Sequence, residues 1–272
     1  MGSNAQDSTE YQKFLDQVQY TENGVKRYEW IFGAEYLSTG GLKTTQEIVP
    51  HLDLKPGQKV LDIGSGLGGH DFYMAEKYGV YIDAVDLSKN MMDLAVTYHK
   101  QKPHIKDQIN FRLCDVTVTE FPENYYDVIY SRDALLHIKN KPHLFAQFFR
   151  WLKPGGRVVF TDYVRGNGEL SSEFLEYMKQ RDYTLYTRQE YLDLMNKSGF
   201  ENVKVDDIKN KFVESLQREL KKLADGKEDF LSKFTQKDYN DLESGWLAKI
   251  KRADDNDQSW VLAVGYKPAT QQ

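Results

Sequence analysis

One stretch constrains the fold more than any other. Val60-Leu61-Asp62-Ile63-Gly64-Ser65-Gly66-Leu67-Gly68-Gly69 is a short apolar run that ends in four glycines within six positions. The run reads as a buried strand from Lys59 to Ile63. Glycines directly after it let the main chain turn sharply and let a ligand come close to the backbone. The pattern then alternates. Phe72, Ala75 and Tyr78 fall on one side of a helix, and a strand from Val80 to Asp86 and a helix from Ser88 follow. Further strands are expected at Ile109 to Cys114, Tyr126 to Ser131 and Arg157 to Tyr163, with a helix from Lys141 to Trp151. Such alternation predicts an α/β fold, Rossmann-like, with a parallel sheet covered by helices on both faces.

Helices are expected before this core, from about Ser8 to Val18, from Gly24 to Phe32 (Val25, Tyr28 and Phe32 at helical spacing), and from the Ser38-Thr39-Gly40-Gly41 loop to about Leu52. After Tyr163 the alternation breaks. Residues 164–187 are polar and rich in tyrosine, and they follow a strand carboxyl end, where open α/β sheets place their ligands. A helix from Arg188 to Ser198, a strand from Val203 to Asp207 and a closing strand from Trp260 to Tyr266 resume it. Residues 211–252 are charged and helical, with Tyr239, Leu242, Trp246 and Ile250 in one stripe. The expected organisation is a helical cap at 6–41 and a core at 42–272, with insertions around 164–187 and 208–252 that form a lid over the substrate.

Charge and composition exclude several functions. Lys plus Arg is 36 and Asp plus Glu is 41 in 272 residues, a net charge of -5, which argues against a nucleic-acid partner. No apolar run approaches the roughly 18 residues a membrane span needs. Cys114 is the only cysteine, and the six histidines show no short ligand spacing, so neither a disulfide nor a metal site is expected. The N-terminus is polar, without the apolar core of a signal peptide, and its first five residues read as a non-native leader, so a cytoplasmic protein is expected. Nothing calls for an obligate interface, and a monomer is expected. Aromatic residues reach 13%, with 18 tyrosines, which suggests a rigid core or a site for cations and phosphates.

Three acids sit at the ends of the first strands. Asp62 precedes the first glycine by two positions, Asp86 ends the second strand and Asp115 follows the third. Asp86 is placed to accept hydrogen bonds from ribose hydroxyls. A glycine turn of this kind also fits NAD-binding folds, and glycines and acids can simply form turns and caps. A pyrophosphate prefers backbone N–H groups without a neighbouring carboxylate, whereas a cationic sulfonium tolerates acids. With Leu152-Lys153-Pro154-Gly155-Gly156 before strand Arg157-Val158-Val159-Phe160, the chain resembles the class I S-adenosyl-L-methionine (SAM)-dependent methyltransferases over about residues 42–207. That resemblance implies a seven-stranded sheet, SAM as methyl donor and S-adenosyl-L-homocysteine as product. It places Asp62, Gly64 and Gly66 at the cofactor, Gly64 beside the methionine part. It places Asp86 on the ribose, Asp115 and the Val116 backbone on the adenine, Leu87 against the purine, and Leu37 and Ser38 over the methionyl end, with Arg132 next to the cofactor.

Further segments narrow the substrate. They are Gln19-Tyr20-Thr21, Ser131-Arg132-Asp133-Ala134-Leu135-Leu136-His137, Thr161-Asp162-Tyr163, residues 177–185 and Gly245-Trp246-Leu247-Ala248-Lys249. Together they resemble the phosphoethanolamine N-methyltransferases. Tyr177 and Arg181 are four apart and share a helix face. Phenols, a guanidinium fork and an ammonium suit a phosphate; by resemblance Tyr163, Tyr177, Arg181, Tyr183 and Lys249 bind it. Asp133 and His137 are also four apart, so both can face the cleft. A primary ammonium resembles lysine, with a pKa of roughly 10, and must lose a proton before its nitrogen attacks. Histidine titrates in a range suited to a base. The resemblance pairs His137 with Tyr20 for that task, has Asp133 hold the amine, and lines the amine end with Gln19 and Tyr28. No metal is required, because a sulfonium is already an activated donor. The alternatives are a methyltransferase for another small amine or a carbon nucleophile, an NAD(P)-dependent oxidoreductase, and a regulatory or inactive methyltransferase-like module.

Overall fold

The structure, a computed structural model, describes residues 2–269, with side chains from Ser8 onward. Met1 lies outside the described residues, and only backbone is described for residues 2–7. The chain begins with α1 (Gly2–Phe14), which runs into a wider π-helical turn at Leu15–Gln19, then α2 (Glu22–Phe32) and α3 (Gly41–Ile48). β1 (Lys59–Ile63), α4 (Gly69–Tyr78), β2 (Tyr81–Asp86), α5 (Lys89–His99), β3 (Ile109–Leu113), β4 (Tyr126–Arg132) and α6 (Lys141–Trp151) alternate as the sequence implies. β5 (Leu152–Arg165), α7 (Ser172–Gln180), α8 (Arg188–Lys197), β6 (Glu201–Asp207), α9 (Lys209–Asp225), α10 (Lys227–Leu231), α11 (Gln236–Asp254) and β7 (Gln258–Tyr266) complete it.

The seven strands form one sheet in the order β3-β2-β1-β4-β5-β7-β6. The strands β1 to β5 run parallel, as the alternation predicts, and the sheet as a whole is mixed. β7 lies antiparallel to both β5 and β6, inserted between them. β5 also starts earlier than expected, because Leu152 pairs with Tyr126 and the Gly155–Gly156 backbone exchanges hydrogen bonds with Lys267.

Alternate residues of the buried strands feed two cores, as expected for a sheet covered on both faces. Val60 joins the face packed by Phe72 of α4 and by Phe212 and Leu216 of α9, together with Trp246 of α11. Leu61 and Ile63 join the face packed by Phe145 and Trp151 of α6 and Tyr191 of α8. Among the described residues no helix is long and apolar enough to cross a membrane.

Candidate active site

The glycine turn is built as its sequence demands. Gly64 has φ +76°, a conformation costly for other residues, and a Cβ there would lie 2.2 Å from the Ala134 Cβ. Its N–H donates to the Val85 carbonyl, which ties the turn to β2. The turn opens onto a cavity of about 1110 Å3 at the carboxyl ends of the central strands. Leu37, Ser38, Gly64, Gly66, Asp86, Leu87, Asp115, Val116 and Arg132 line it, and so do all the residues expected at the substrate.

Asp86 receives the Gly66 and Ser88 backbone N–H groups at 2.9 and 2.8 Å. A carboxylate has further lone pairs, enough to accept a diol as well. Asp115 accepts the Thr117 N–H at 2.8 Å and also a hydrogen bond from the Ser8 hydroxyl of α1. Asp62 does not line the cavity. It is buried behind the turn, and its carboxyl lies against that of the equally buried Asp71 of α4. Burial pushes Asp62 up to about 7, and burial with the neighbouring Asp62 charge pushes Asp71 well above the usual range, so the pair keeps a proton at neutral pH. The folded state therefore binds more protons than the unfolded chain, and stability present at low pH is lost as pH rises from about 4 to about 7. Asp71→Asn is expected to flatten that loss, read as the urea midpoint against pH in the ligand-free protein. A slope equal to wild type would show that the pair does not titrate there.

The 37–41 loop is clamped from three sides. The buried Arg132 guanidinium donates to the Thr39 carbonyl and to Thr45 Oγ1. Tyr163 of β5 meets Thr39 Oγ1 at 3.1 Å, and Glu219 of α9 accepts the Gly40 N–H at 2.6 Å and the Trp246 indole N–H at 2.7 Å. Arg132 thus braces the loop that carries Ser38, and Tyr163 reaches the same loop from β5.

Asp133 and His137 do share the cavity, but not as one helical face. Asp133 has φ +54°, and His137 ends a 3-10 turn, Leu135–His137. The strained backbone aims Asp133 across the sheet end. Its Oδ1 accepts the Thr161 hydroxyl at 2.8 Å and the Trp260 indole N–H of β7 at 2.6 Å. Its Oδ2 is buried without a partner, and burial raises the carboxyl. His137 Nε2 lies 3.0 Å from the Tyr20 hydroxyl. Burial first, then the Lys141 and Arg181 charges, push this imidazole down to about 3, so it is neutral. Gln19 Nε2 donates to the Tyr183 hydroxyl at 3.1 Å and to the Tyr20 hydroxyl at 3.4 Å.

Tyr177 and Arg181 sit on and just after α7, and the Arg181 N–H donates to the Tyr177 carbonyl, so they share a helix face as expected. The Arg181 and Arg252 guanidinium carbons lie 5.9 and 4.0 Å from the Tyr177 ring centre. Lys249 lies over Trp246 at 4.3 Å; burial lowers it to about 8, with Arg181 and Arg252 adding to the shift and Glu219 opposing it. Three cations thus converge in a chain of negative net charge. Tyr28 adds an aromatic wall, 6.0 Å from Trp246 by ring centres.

Sequence reasoning missed Arg252, which sits on α11 among residues that read as an apolar stripe. It also missed Tyr11, whose hydroxyl lies 2.9 Å from His137 Nδ1. The parts fit SAM: a turn where a Cβ would not fit, acids along the sheet edge, and a clamped loop beside them. Among the described residues no cluster of His, Cys, Asp and Glu could hold a metal.

A methyltransferase-domain family model matches residues 35–205. Phosphoethanolamine N-methyltransferase 1 of Zea mays is 47% identical over 97% of this chain, which covers 52% of that protein. The chain spans about half the length of the plant relatives it matches. Phosphoethanolamine N-methyltransferase of Plasmodium falciparum is 42% identical over 94% of this chain and 95% of its own. A Haemonchus contortus phosphoethanolamine N-methyltransferase 2, solved with phosphomonomethylethanolamine and S-adenosylhomocysteine, superposes with a TM-score of 0.92 at 37% identity, over 95% of this chain and 60% of that one. A glycine turn edged with acids, a half-buried Tyr20–His137 pair and a match along nearly the whole length place this chain in the phosphoethanolamine N-methyltransferase family.

Proposed function

We propose that the protein transfers a methyl group from SAM to the nitrogen of phosphoethanolamine, or of its mono- and dimethyl forms, on the way to phosphocholine. One observation carries this reading. A single cavity joins the acid-edged glycine turn, the unpartnered Asp133 oxygen beside the His137 turn, and the cations Arg181, Lys249 and Arg252. It thus offers separate partners to a sulfonium, an ammonium and a phosphate. SAM, when bound, supplies the sulfonium methyl. Gly64, Gly66, Asp86, Leu87, Asp115, Val116, Leu37 and Ser38 would hold it, with Arg132 bracing the loop.

Asp133 Oδ2 accepts a hydrogen bond from the substrate ammonium and orients it. The Tyr20–His137 pair takes up the amine proton. His137 resists becoming charged partly because of Arg181. A bound phosphate dianion offsets that charge, so the base strengthens when the correct substrate arrives. Tyr163, Tyr177, Arg181, Tyr183 and Lys249 hold the phosphate, and Arg252 stiffens Tyr177. Gln19 and Tyr28 enclose the amine.

The test is a methylation assay on phosphoethanolamine and its two partly methylated forms, beside the unphosphorylated amines. Methylation of the unphosphorylated amines alone would replace this reading with a methyltransferase for another small amine. Losing a charged hydrogen bond costs about 1.5–3 kcal/mol, so Arg181→Ala is expected to raise the phosphobase KM by roughly 10- to 100-fold. An unchanged KM would remove Arg181 from the phosphate site.

A further inference from the structure

His137 has a phenol at each ring nitrogen. Tyr20 sits at Nε2 at 3.0 Å and Tyr11, from α1, at Nδ1 at 2.9 Å. A neutral imidazole carries one N–H, so one nitrogen donates and the other accepts. The two phenols therefore cannot have the same role. Gln19 favours one direction. Its Nε2 is a donor only, and it donates to the Tyr20 oxygen. The Tyr20 proton is then directed to His137 Nε2, which accepts. In that arrangement Nδ1 carries the ring proton, and the Tyr11 oxygen receives it.

We infer that Tyr11 is a positioning residue that selects the His137 tautomer with Nε2 free to accept a proton from the Tyr20 side. This rests on the proposed role of Tyr20 and His137 as the base pair. The segment that carries Tyr11 is separately anchored: Ser8 bonds Asp115, and Asp16 accepts from the Ser88 hydroxyl at 2.6 Å and the Lys89 N–H at 3.2 Å. The Tyr11 ring stacks on Phe14 at 5.9 Å, a contact phenylalanine can keep. Removing the hydroxyl thus deletes the acceptor at Nδ1 and leaves the anchors in place.

The test combines turnover with nitrogen NMR of protein labelled with 15N-histidine. The wild type is expected to show His137 protonated at Nδ1 and bare at Nε2. Tyr11→Phe is expected to show a mixture of tautomers and a roughly tenfold lower kcat, the worth of one hydrogen bond, with an unchanged KM for SAM. Tyr11→Gln, which returns a carbonyl acceptor, is expected to recover part of both. An Nε2-protonated wild type, wild-type kcat and nitrogen shifts in Tyr11→Phe, or equal losses in both variants would overturn the inference. Wild-type turnover in His137→Ala would instead sink the base-pair reading, and this inference with it. A slow His137→Ala enzyme beside a normal Tyr11→Phe enzyme would sink the Tyr11 role alone.

Discussion

His137→Ala and Tyr20→Phe are each expected to lower methyl transfer by roughly 10²- to 10⁴-fold, the range a general base contributes. SAM affinity, measured by calorimetry, is expected to stay near wild type, because the groups that would hold the ribose and adenine lie on β2 and after β3. The losses should not add. Tyr20 and His137 form one hydrogen-bonded unit at 3.0 Å, so the double variant should be about as slow as the worse single one. Wild-type turnover in both single variants would reassign the proton to another group, with Asp133 the nearest candidate by role.

Asp162→Ala is expected to destabilise the fold severely. Asp162 and Lys141 are both fully buried. Asp162 accepts the Tyr191 hydroxyl at 2.5 Å and the Leu136 N–H at 3.2 Å, while Lys141 Nζ donates to the Ile138 and Thr184 carbonyls at 2.8 and 2.6 Å. Burial pushes Asp162 up and Lys141 down, and the attraction of each for the other opposes this. Removing one partner strands a buried charge, at a cost of about 3–5 kcal/mol. Lys141→Met should cost about as much, and the two together less than their sum, as measured by urea unfolding. A double variant as unstable as the sum would show that the charges do not sense each other. The same groups hold the backbone on both sides of His137, so partial loss of turnover is expected even where the variant folds.

Most of the sheet could be read from the chain because it is local. Lys59–Ile63 and Lys141–Trp151 form where the apolar period and their flanking turns predict. The direction of β7 could not be read, since an apolar strand looks alike in either orientation and only its neighbours decide. The 133–137 turn shows the opposite case. Spacing by four placed both groups in the cleft, yet a left-handed Asp133 and a 3-10 turn put them there. Arg252 escaped notice because residues around it satisfy a helical stripe, and a buried cation among them leaves no periodic mark. Tyr11 escaped because its partner is 126 residues away and the helix that carries it is largely polar. Asp62 was legible as an acid beside the turn, but its pairing with Asp71 depends on how α4 crosses β1.

The inserted β7 strand also bears on how the protein is made. Trp260, which fixes Asp133, lies on it, and synthesis reaches it after every other strand of the sheet. A nascent chain short of this strand has β5 and β6 in hand but nothing between them. Its sheet would present unpaired edges, a hazard for sticking to other chains. Asp133 would also lack its indole donor. Ribosome-bound intermediates are therefore the stage at which this sheet most needs protection, and its edges are satisfied only when β7 slots between β5 and β6.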